Sequence, residues 1–378
     1  MADILISASA GAPAITSFRG IQFIAAWSDT TATAINAVPL AMGGGASGSP
    51  FLVNVPTQAK PRRQWPAIVE CAAGFVIAWI EFTPGSNPVA NLKLRIFDAD
   101  TFSPGDEIQV NTAPVDRNQP PALASLDDGG FIIVWADARA DQRIRAQRFD
   151  RFGNRNGADF RANTVAGLHR RPIVARLSGG NIVIGWLARV SGPLQSRFQI
   201  FDASAAAVGS EHTLAGATMA TVTALDNGRF VIAHVRNPGD GEVLDKTIVE
   251  VNVFEPTGAA VGGATPVTGA QGILSDWPTL TPLPGGRFLV GWTQGPTAAG
   301  DNKPDAMARI FSDKQGPLGQ TRTLNTTAAG VRFSLCAATA AGVGEGGTVL
   351  AAWESQATDG SGRGLFGTSI PIPSAGFP

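Results

Sequence analysis

The sequence predicts an all-β protein: one seven-bladed β-propeller of four-stranded blades, with the last blade closed by the N-terminal strand. Three observations lead there. A short apolar segment recurs seven times, each copy is flanked by three further strand signals, and the two ends of the chain hold complementary parts of one repeat.

The recurring segment is an apolar pentad ending on an aromatic anchor. It reads Phe23-Ile24-Ala25-Ala26-Trp27, then Phe75–Trp79, Phe131–Trp135, Ile182–Trp186, Phe230–His234, Phe288–Trp292 and Val349–Trp353. The anchors lie 52, 56, 51, 48, 58 and 61 residues apart, and six of the seven are Trp. A helix would space its apolar residues at i, i+3 and i+4, whereas these run five in a row. Short runs rich in Ile, Val and Phe are strands buried on both faces. The residue before the anchor is never larger than Val, which points to close contact with a neighbouring layer. The Trp column reads as core, each buried ring contributing on the order of 2–3 kcal/mol.

Around each pentad stand three more strands. In the third repeat, Pro121–Leu126 runs into the turn Asp127-Asp128-Gly129-Gly130, a hairpin signature. After the Trp strand come Ile144–Asp150, a turn through Gly153, and Phe160–Thr164. The same order returns as Leu92–Asp98 with Glu107–Thr112, and as Met307–Ser312 with Arg322–Thr326. Four strands per repeat, seven times over, is propeller arithmetic. Independent sandwiches of this size without disulfides would be marginal.

The seventh repeat reaches a third strand near Leu365–Ile372 and supplies no fourth, while Asp3–Ala8 reads like the fourth strand of other repeats. The N-terminal segment therefore completes the last blade and covers its edge. The whole chain, 1–378, is one domain, with repeats near 13–60, 61–116, 117–167, 168–216, 217–271, 272–329 and 330–378 joined by 1–12.

Composition narrows the function classes. Lys+Arg is 29 against 30 for Asp+Glu, which removes the footprint of a nucleic-acid binder. No apolar run is long enough to cross a bilayer as a helix, so no membrane insertion is expected. Met1–Leu5 carries no basic segment leading into a long apolar stretch, so no cleaved secretory signal is read. Cys71 and Cys336 make no disulfide framework and read as free buried thiols.

Candidate site residues come from the segments that enter the inner strands. In a propeller these loops share a face with the loops between second and third strands, around the channel mouth. They hold Arg62, Arg63 and Trp65, then Arg117, then Arg170 and Arg171, then Asp276 and Trp277, and finally Arg332. Five inner strands open with Pro, and the preceding column reads Ala12, Trp65, Pro120, Arg171, Ala220, Trp277 and Phe333. Arginine forks beside aromatic rings suit sugars, acidic ones above all: the ring stacks on the pyranose and the guanidinium grips a carboxylate. The competing expectation is that these arginines pair with Asp29, Glu81 and Asp137, each two residues past its Trp.

Other motifs carry less. Asp359-Gly360-Ser361-Gly362 is a loop able to offer oxygens to calcium, though turns need the same residues. Asp240, Glu242 and Asp245 read as a solvated charged loop, and His169, His212 and His234 sit at unrelated strand positions, so no metal or other cofactor is expected. No P-loop, nucleophile elbow or dinucleotide fingerprint occurs.

Several segments resemble the repeats of large bacterial type I-secreted, RTX-adhesin-like proteins. They are Gln119-x-Pro121, Leu126–Trp135, Gln147-Arg148-Phe149-Asp150, Asn163-Thr164, Trp353-Glu354-Ser355 and Asp359–Leu365. The resemblance implies an extracellular or cell-surface protein without a catalytic motif, although the Gly-rich calcium array of such proteins is absent here. The expected function is a non-enzymatic recognition module, lectin- or adhesin-like, binding glycan or another cell-surface ligand. A glycan-active hydrolase or lyase is the first alternative, because the fold hosts both. A structural subunit of a surface assembly, with homo-oligomer contacts, is the second.

Overall fold

Alternate residues of each pentad enter two different cores, which is why the segment is apolar throughout. Phe23, Ala25 and Trp27 pack with Leu350 and Ala352, whereas Ile24 and Ala26 pack with Phe75, Ile77 and Trp79 on the opposite side. A strand with period-two side chains between two such cores has no face left for water.

The computed structural model describes residues 4–8, 10–86, 88–139, 143–236, 247–268, 275–295, 304–325, 331–339, 347–356, 363–373 and 376–378; at 275–277, 331–339, 356 and 363 the description is of the backbone. A short strand β1 (Ile4–Ser7) comes first. Blade one holds β2 (Gly11–Phe18), β3 (Gln22–Ser28), β4 (Ile35–Ala41) and β5 (Phe51–Leu52). Blade two holds β6 (Arg62–Cys71), β7 (Gly74–Phe82), β8 (Ala90–Asp98) and β9 (Ile108–Gln109). Blade three holds β10 (Ala122–Ser125), β11 (Phe131–Ala136), β12 (Ile144–Phe149) and β13 (Arg155–Arg161). Blade four holds β14 (Leu168–Arg176), β15 (Ile182–Arg189), β16 (Gln195–Phe201) and β17 (Ala207–Leu214). Blade five holds β18 (Ala217–Ala224), β19 (Phe230–Arg236), β20 (Ile248–Phe254) and β21 (Thr265–Pro266). Blade six holds β22 (Ser275–Leu283), β23 (Arg287–Gln294), β24 (Asp305–Ser312) and β25 (Gly316–Thr323). Blade seven holds β26 (Val331–Thr339), β27 (Thr348–Gln356) and β28 (Arg363–Pro371), and β1 is its fourth strand.

Each blade is antiparallel, and the first strands of the seven blades touch in a closed cycle, from β2 through β26 and back to β2. The protein is therefore the seven-bladed propeller that the repeat predicts, with the anchors buried between blades. Among the described residues, the sole helical element is a 3-10 turn at Ser178–Gly180. No helix among them is long and apolar enough to cross a membrane.

Closure uses both ends of the chain. Ile4 pairs with Gly367, Leu5 with Phe366 and Ser7 with Leu365. Ile4 Cδ1 and Leu350 Cδ1 lie where a Cβ on Gly44 would stand, so the turn after β4 must carry glycine, at φ 86°. The C-terminal tail adds a second clasp that the sequence does not announce. Phe377 forms a parallel bridge to Gly319 on the outer strand of blade six, and Gln320 N donates to its carbonyl at 2.9 Å.

A repeated polar device ties the outer half of each blade. Asn54, Asn111, Asn163 and Asn325 accept the amides of Ile35, Leu92, Ile144 and Ala306 at 2.8, 2.7, 2.8 and 2.8 Å. In blade five Thr268 does the same for Val249 at 3.1 Å. These amides begin third strands just where the outermost strand has ended, so a side-chain oxygen replaces a missing ladder partner.

Candidate functional site

The site begins as a backbone irregularity at the entry of the inner strands. The ladder to the second strand skips between Gly11 and Ala14, Gln64 and Ala67, Arg170 and Ile173, Thr218 and Thr221, and Asp276 and Thr279. Each skip leaves two residues unpaired. The first is left-handed at Ala12, Trp65, Arg171 and Met219, with φ of 49°, 57°, 49° and 46°. The second is Pro13, Pro66, Pro172 and Pro278, with Ala220 in blade five. A residue with no N–H fits where the ladder is already interrupted, and the bulge turns its neighbour's side chain out of the sheet pattern. Holding a non-glycine residue left-handed costs about 1–2 kcal/mol, which the rest of the blade must offset.

This register corrects two places in the expected column. Ala220 takes the proline position in blade five, so Met219 stands in line with Trp65 and Arg171. In blade seven, Phe333 pairs with Glu354 and Cys336 with Ala352, which leaves Ser334 in the column in place of Phe333. Counting from proline fails in the two blades that lack it.

Bulge residues of consecutive blades meet at a cavity of about 200 Å³ at the mouth of the central channel. Its polar side chains are Asn118, Gln119 and Arg171. Trp65, Pro120, Met219 and Pro278 form its apolar walls, with Pro172 and Ile173 beside them. The volume is below the roughly 300 Å³ at which drug-sized ligand pockets begin, so it fits one ring of a larger ligand. Trp65 also packs against the core between blades two and three. Its indole Nε1 is buried without a protein partner, a property it shares with Trp79 and Trp186.

Two glutamines stitch this rim from blade to blade. Gln64 Nε2 donates to the Arg117 carbonyl at 2.6 Å, and the Arg171 amide donates to Gln119 Oε1 at 3.0 Å. Both glutamines stand two residues before a proline, as Gln64-Trp65-Pro66 and Gln119-Pro120-Pro121. That Gln-x-Pro pattern is the sequence signal for Gln119, a lining residue absent from the expected set. Across the mouth, the Ala12 amide donates to Glu354 Oε2 at 3.2 Å, joining blades one and seven.

The remaining expected site residues divide sharply. Arg63 is buried at 2% exposure: Nε donates to Glu81 Oε2 at 2.8 Å and NH1 to the Thr33 carbonyl at 2.7 Å. It is a structural clamp between blades one and two, which corrects its assignment to the binding face. The physical reason is its place two residues before the bulge, where side chains point into the blade interface. Arg117 lays its guanidinium 5.5 Å from the Phe82 ring centroid. Arg62 and Arg170 are exposed and do not line the cavity. The side chains of Asp276, Trp277 and Arg332 lie outside the described residues, although the Asp276 backbone pairs with Thr293 beside the lining Pro278. Asp240, Glu242 and Asp245, and the Asp359–Gly362 loop, also lie outside them.

The acids past the Trp anchors are committed to structure. Glu81 holds Arg63 and, at 3.3 Å, Lys93. Asp29 caps its own loop; burial raises its carboxyl, but hydrogen bonds from Thr31, Ala34 and Thr33 outweigh it and hold the group below its ordinary value. Asp137 is buried and accepts the Arg143 amide at 2.9 Å. Burial pushes the imidazoles of His169, His212 and His234 down. His169 donates from Nε2 to the Val165 carbonyl at 2.9 Å, and His234 Nε2 meets Asn252 Oδ1 at 2.8 Å. Among the described residues no three His, Cys, Asp or Glu converge as a metal site. The Cys71 thiol is free, buried and pushed up by that burial.

No protein-family model matches this chain, and no curated protein matches it. The RTX-adhesin-like repeat type therefore has no family match behind it. Among solved structures, the chain is similar to a polysaccharide lyase, an ulvan lyase, at a TM-score of 0.62 and 10% identity, over 98% of this chain and 96% of the other. It is similar to hydrazine synthase of Kuenenia stuttgartiensis at a TM-score of 0.59 and 11% identity, over 97% of each. It is also similar to the α-L-arabinofuranosidase of Fusarium graminearum at a TM-score of 0.55 and 9% identity, over 99% of each. At such identities the likeness is one of fold.

Proposed function

We propose that the protein is a glycan-active propeller that takes a saccharide at the mouth of its central channel. The observation that carries this reading is the cavity itself, where Trp65 and Arg171 are brought to one small space by the same bulge in two blades. An aromatic wall and a guanidinium are the parts that hold a sugar ring and its oxygens. Two of the similar folds belong to a polysaccharide lyase and an arabinofuranosidase, which supports a hydrolase or lyase over the non-enzymatic module that the sequence alone favours. Carboxylates stand beside the mouth at Glu354 and, by register, at Asp276.

A second reading keeps the same ligand and removes the reaction: a lectin- or adhesin-like recognition module at the cell surface or outside it. What favours it is the described lining of the cavity, which holds no carboxylate and no imidazole for acid–base work. One experiment separates the two. The protein is incubated with a panel of plant and algal polysaccharides, and new reducing ends and unsaturated sugar products are measured beside retention on the immobilised polymers. Cleavage supports the glycan-active reading, retention without cleavage the recognition module. A protein that neither cuts nor retains any of them overturns both.

A further inference from the structure

We propose that Gln119 is a specificity-determining residue of the channel mouth, and that the group it selects together with Arg171 is an oxyanion carried by the saccharide, a carboxylate or a sulfate. This rests on the glycan reading above.

The argument is hydrogen-bond accounting. A glutamine amide has one accepting end and one donating end, and a backbone N–H can only donate. The Arg171 amide therefore fixes the Gln119 oxygen towards itself, at 3.0 Å. The other end, Nε2, is left facing away from that bond, and no acceptor among the described residues takes it. Gln119 and Arg171 both line the cavity, so the side chains offered there from blades three and four are donors. The prolines around them, Pro120, Pro172 and Pro278, bring no N–H, and Ile173 and Met219 bring no polar group. A hydroxyl entering this corner carries a proton of its own that these two side chains cannot accept. An oxyanion carries acceptors alone, and charge-assisted bonds to it gain strength where apolar walls exclude water.

The left-handed backbone at Arg171 belongs to the same device. Its amide is released from the ladder by the bulge, so it needs a partner, and Gln119 supplies one from the preceding blade. Gln119 thus sets both the direction of its own donor and the backbone from which the guanidinium springs.

Gln119→Glu tests this with little disturbance of the fold. A glutamate oxygen still accepts the Arg171 amide, while the donating end becomes a second acceptor with negative charge. The probes are oligogalacturonate, the same oligomer as its methyl ester, and a sulfated galactan oligosaccharide, titrated calorimetrically against wild type and variant, with melting curves of both. Wild type should bind at least one charged probe about tenfold or more tightly than the methyl ester. The variant should lose that preference while its melting temperature stays within a few degrees. The uronate and sulfate arms distinguish the two sources of the oxyanion. If wild type binds the methyl ester as tightly as both charged probes, the oxyanion proposal is overturned and the glycan reading stands. If the variant keeps the full preference, Gln119 is not the selecting residue. Should it melt far lower, Gln119→Met, which removes donor and acceptor together, gives the same comparison against the Arg171→Gln protein. Binding of no probe, with no glycan retained in the wider panel, removes the reading and the proposal together.

Discussion

Arg63 and Glu81 form a pair at 2.8 Å inside the blade interface, with the arginine almost wholly removed from water. The same guanidinium also reaches the Thr33 carbonyl and Thr57 Oγ1, so one side chain ties blade two to the loops of blade one. Arg171 enters its strand at nearly the same level yet faces the channel, because a bulge separates the two positions. Two arginines from one loop column therefore do different work.

Replacing Arg63 with alanine should destabilise the fold by about 3 kcal/mol, since it leaves a largely desolvated carboxylate with Lys93 alone for company. Denaturant unfolding monitored by Trp fluorescence reads this directly. A loss under about 0.5 kcal/mol would contradict the clamp.

Removal of residues 1–8 should cost several kcal/mol, because blade seven then loses its outermost strand and bares the edge of β28. The melting temperature should fall steeply and aggregation should rise. A truncated chain that melts with the full one would refute closure by β1.

Asn163→Ala should cost about 1–3 kcal/mol, the penalty of leaving the buried Ile144 amide without its acceptor. Asn163→Asp keeps the acceptor and should recover most of the loss at neutral pH. Equal losses in both variants would show that the amide bond is not what the asparagine contributes.

The strand order and blade count are legible in the sequence because burial on both faces writes an apolar pentad that no helix or half-exposed strand would tolerate. Closure is legible for a related reason: Ile4–Ser7 has the pattern of an outer strand and β28 lacks one. The site is less so. Arg63 and Arg171 sit in similar loops, and what sorts them is a two-residue bulge whose register shows only in the pairing. Proline marks that bulge in most blades, so Trp65 and Arg171 could be found, while Met219 could not, with alanine in the proline's place. Gln119 left a signal in Gln-x-Pro, but its role lies in a bond to the next blade that no local pattern encodes. The tail clasp at Phe377 had no signal, since a parallel bridge of one residue needs no run of strand formers.

Acid should loosen the fold in two stages. Burial lowers the folded-state values of His169, His212 and His234, so each is held neutral, and below about pH 6.5 the unfolded chain binds protons that the folded one resists. Stability is complete above that pH and declines as pH falls towards the folded values. For His234, Glu250 opposes the shift and Arg236 adds to it; for His169, Glu211 opposes it and Arg161 and Arg197 add. The second stage comes from Asp98, Asp150 and Asp202, held low by hydrogen bonds from Thr101, Asn154 and Ser204 respectively, whose contribution is present above the unfolded carboxyl value and is lost as pH falls through the folded ones. Melting curves between neutral pH and pH 5 should show the first stage, and His234→Phe should flatten it. A variant with the slope of wild type would remove His234 from the account.

The central claim is that the channel mouth holds a glycan through Arg171. The most direct measurement is calorimetric titration of the best-retained oligosaccharide into wild type and Arg171→Ala, with melting curves of both. Alanine is already left-handed at the equivalent position, Ala12, so the backbone should accept it. One site per chain in wild type, weakened about tenfold or more in a variant that melts alike, is the predicted result. Unchanged affinity in the variant would place the ligand somewhere other than the channel mouth.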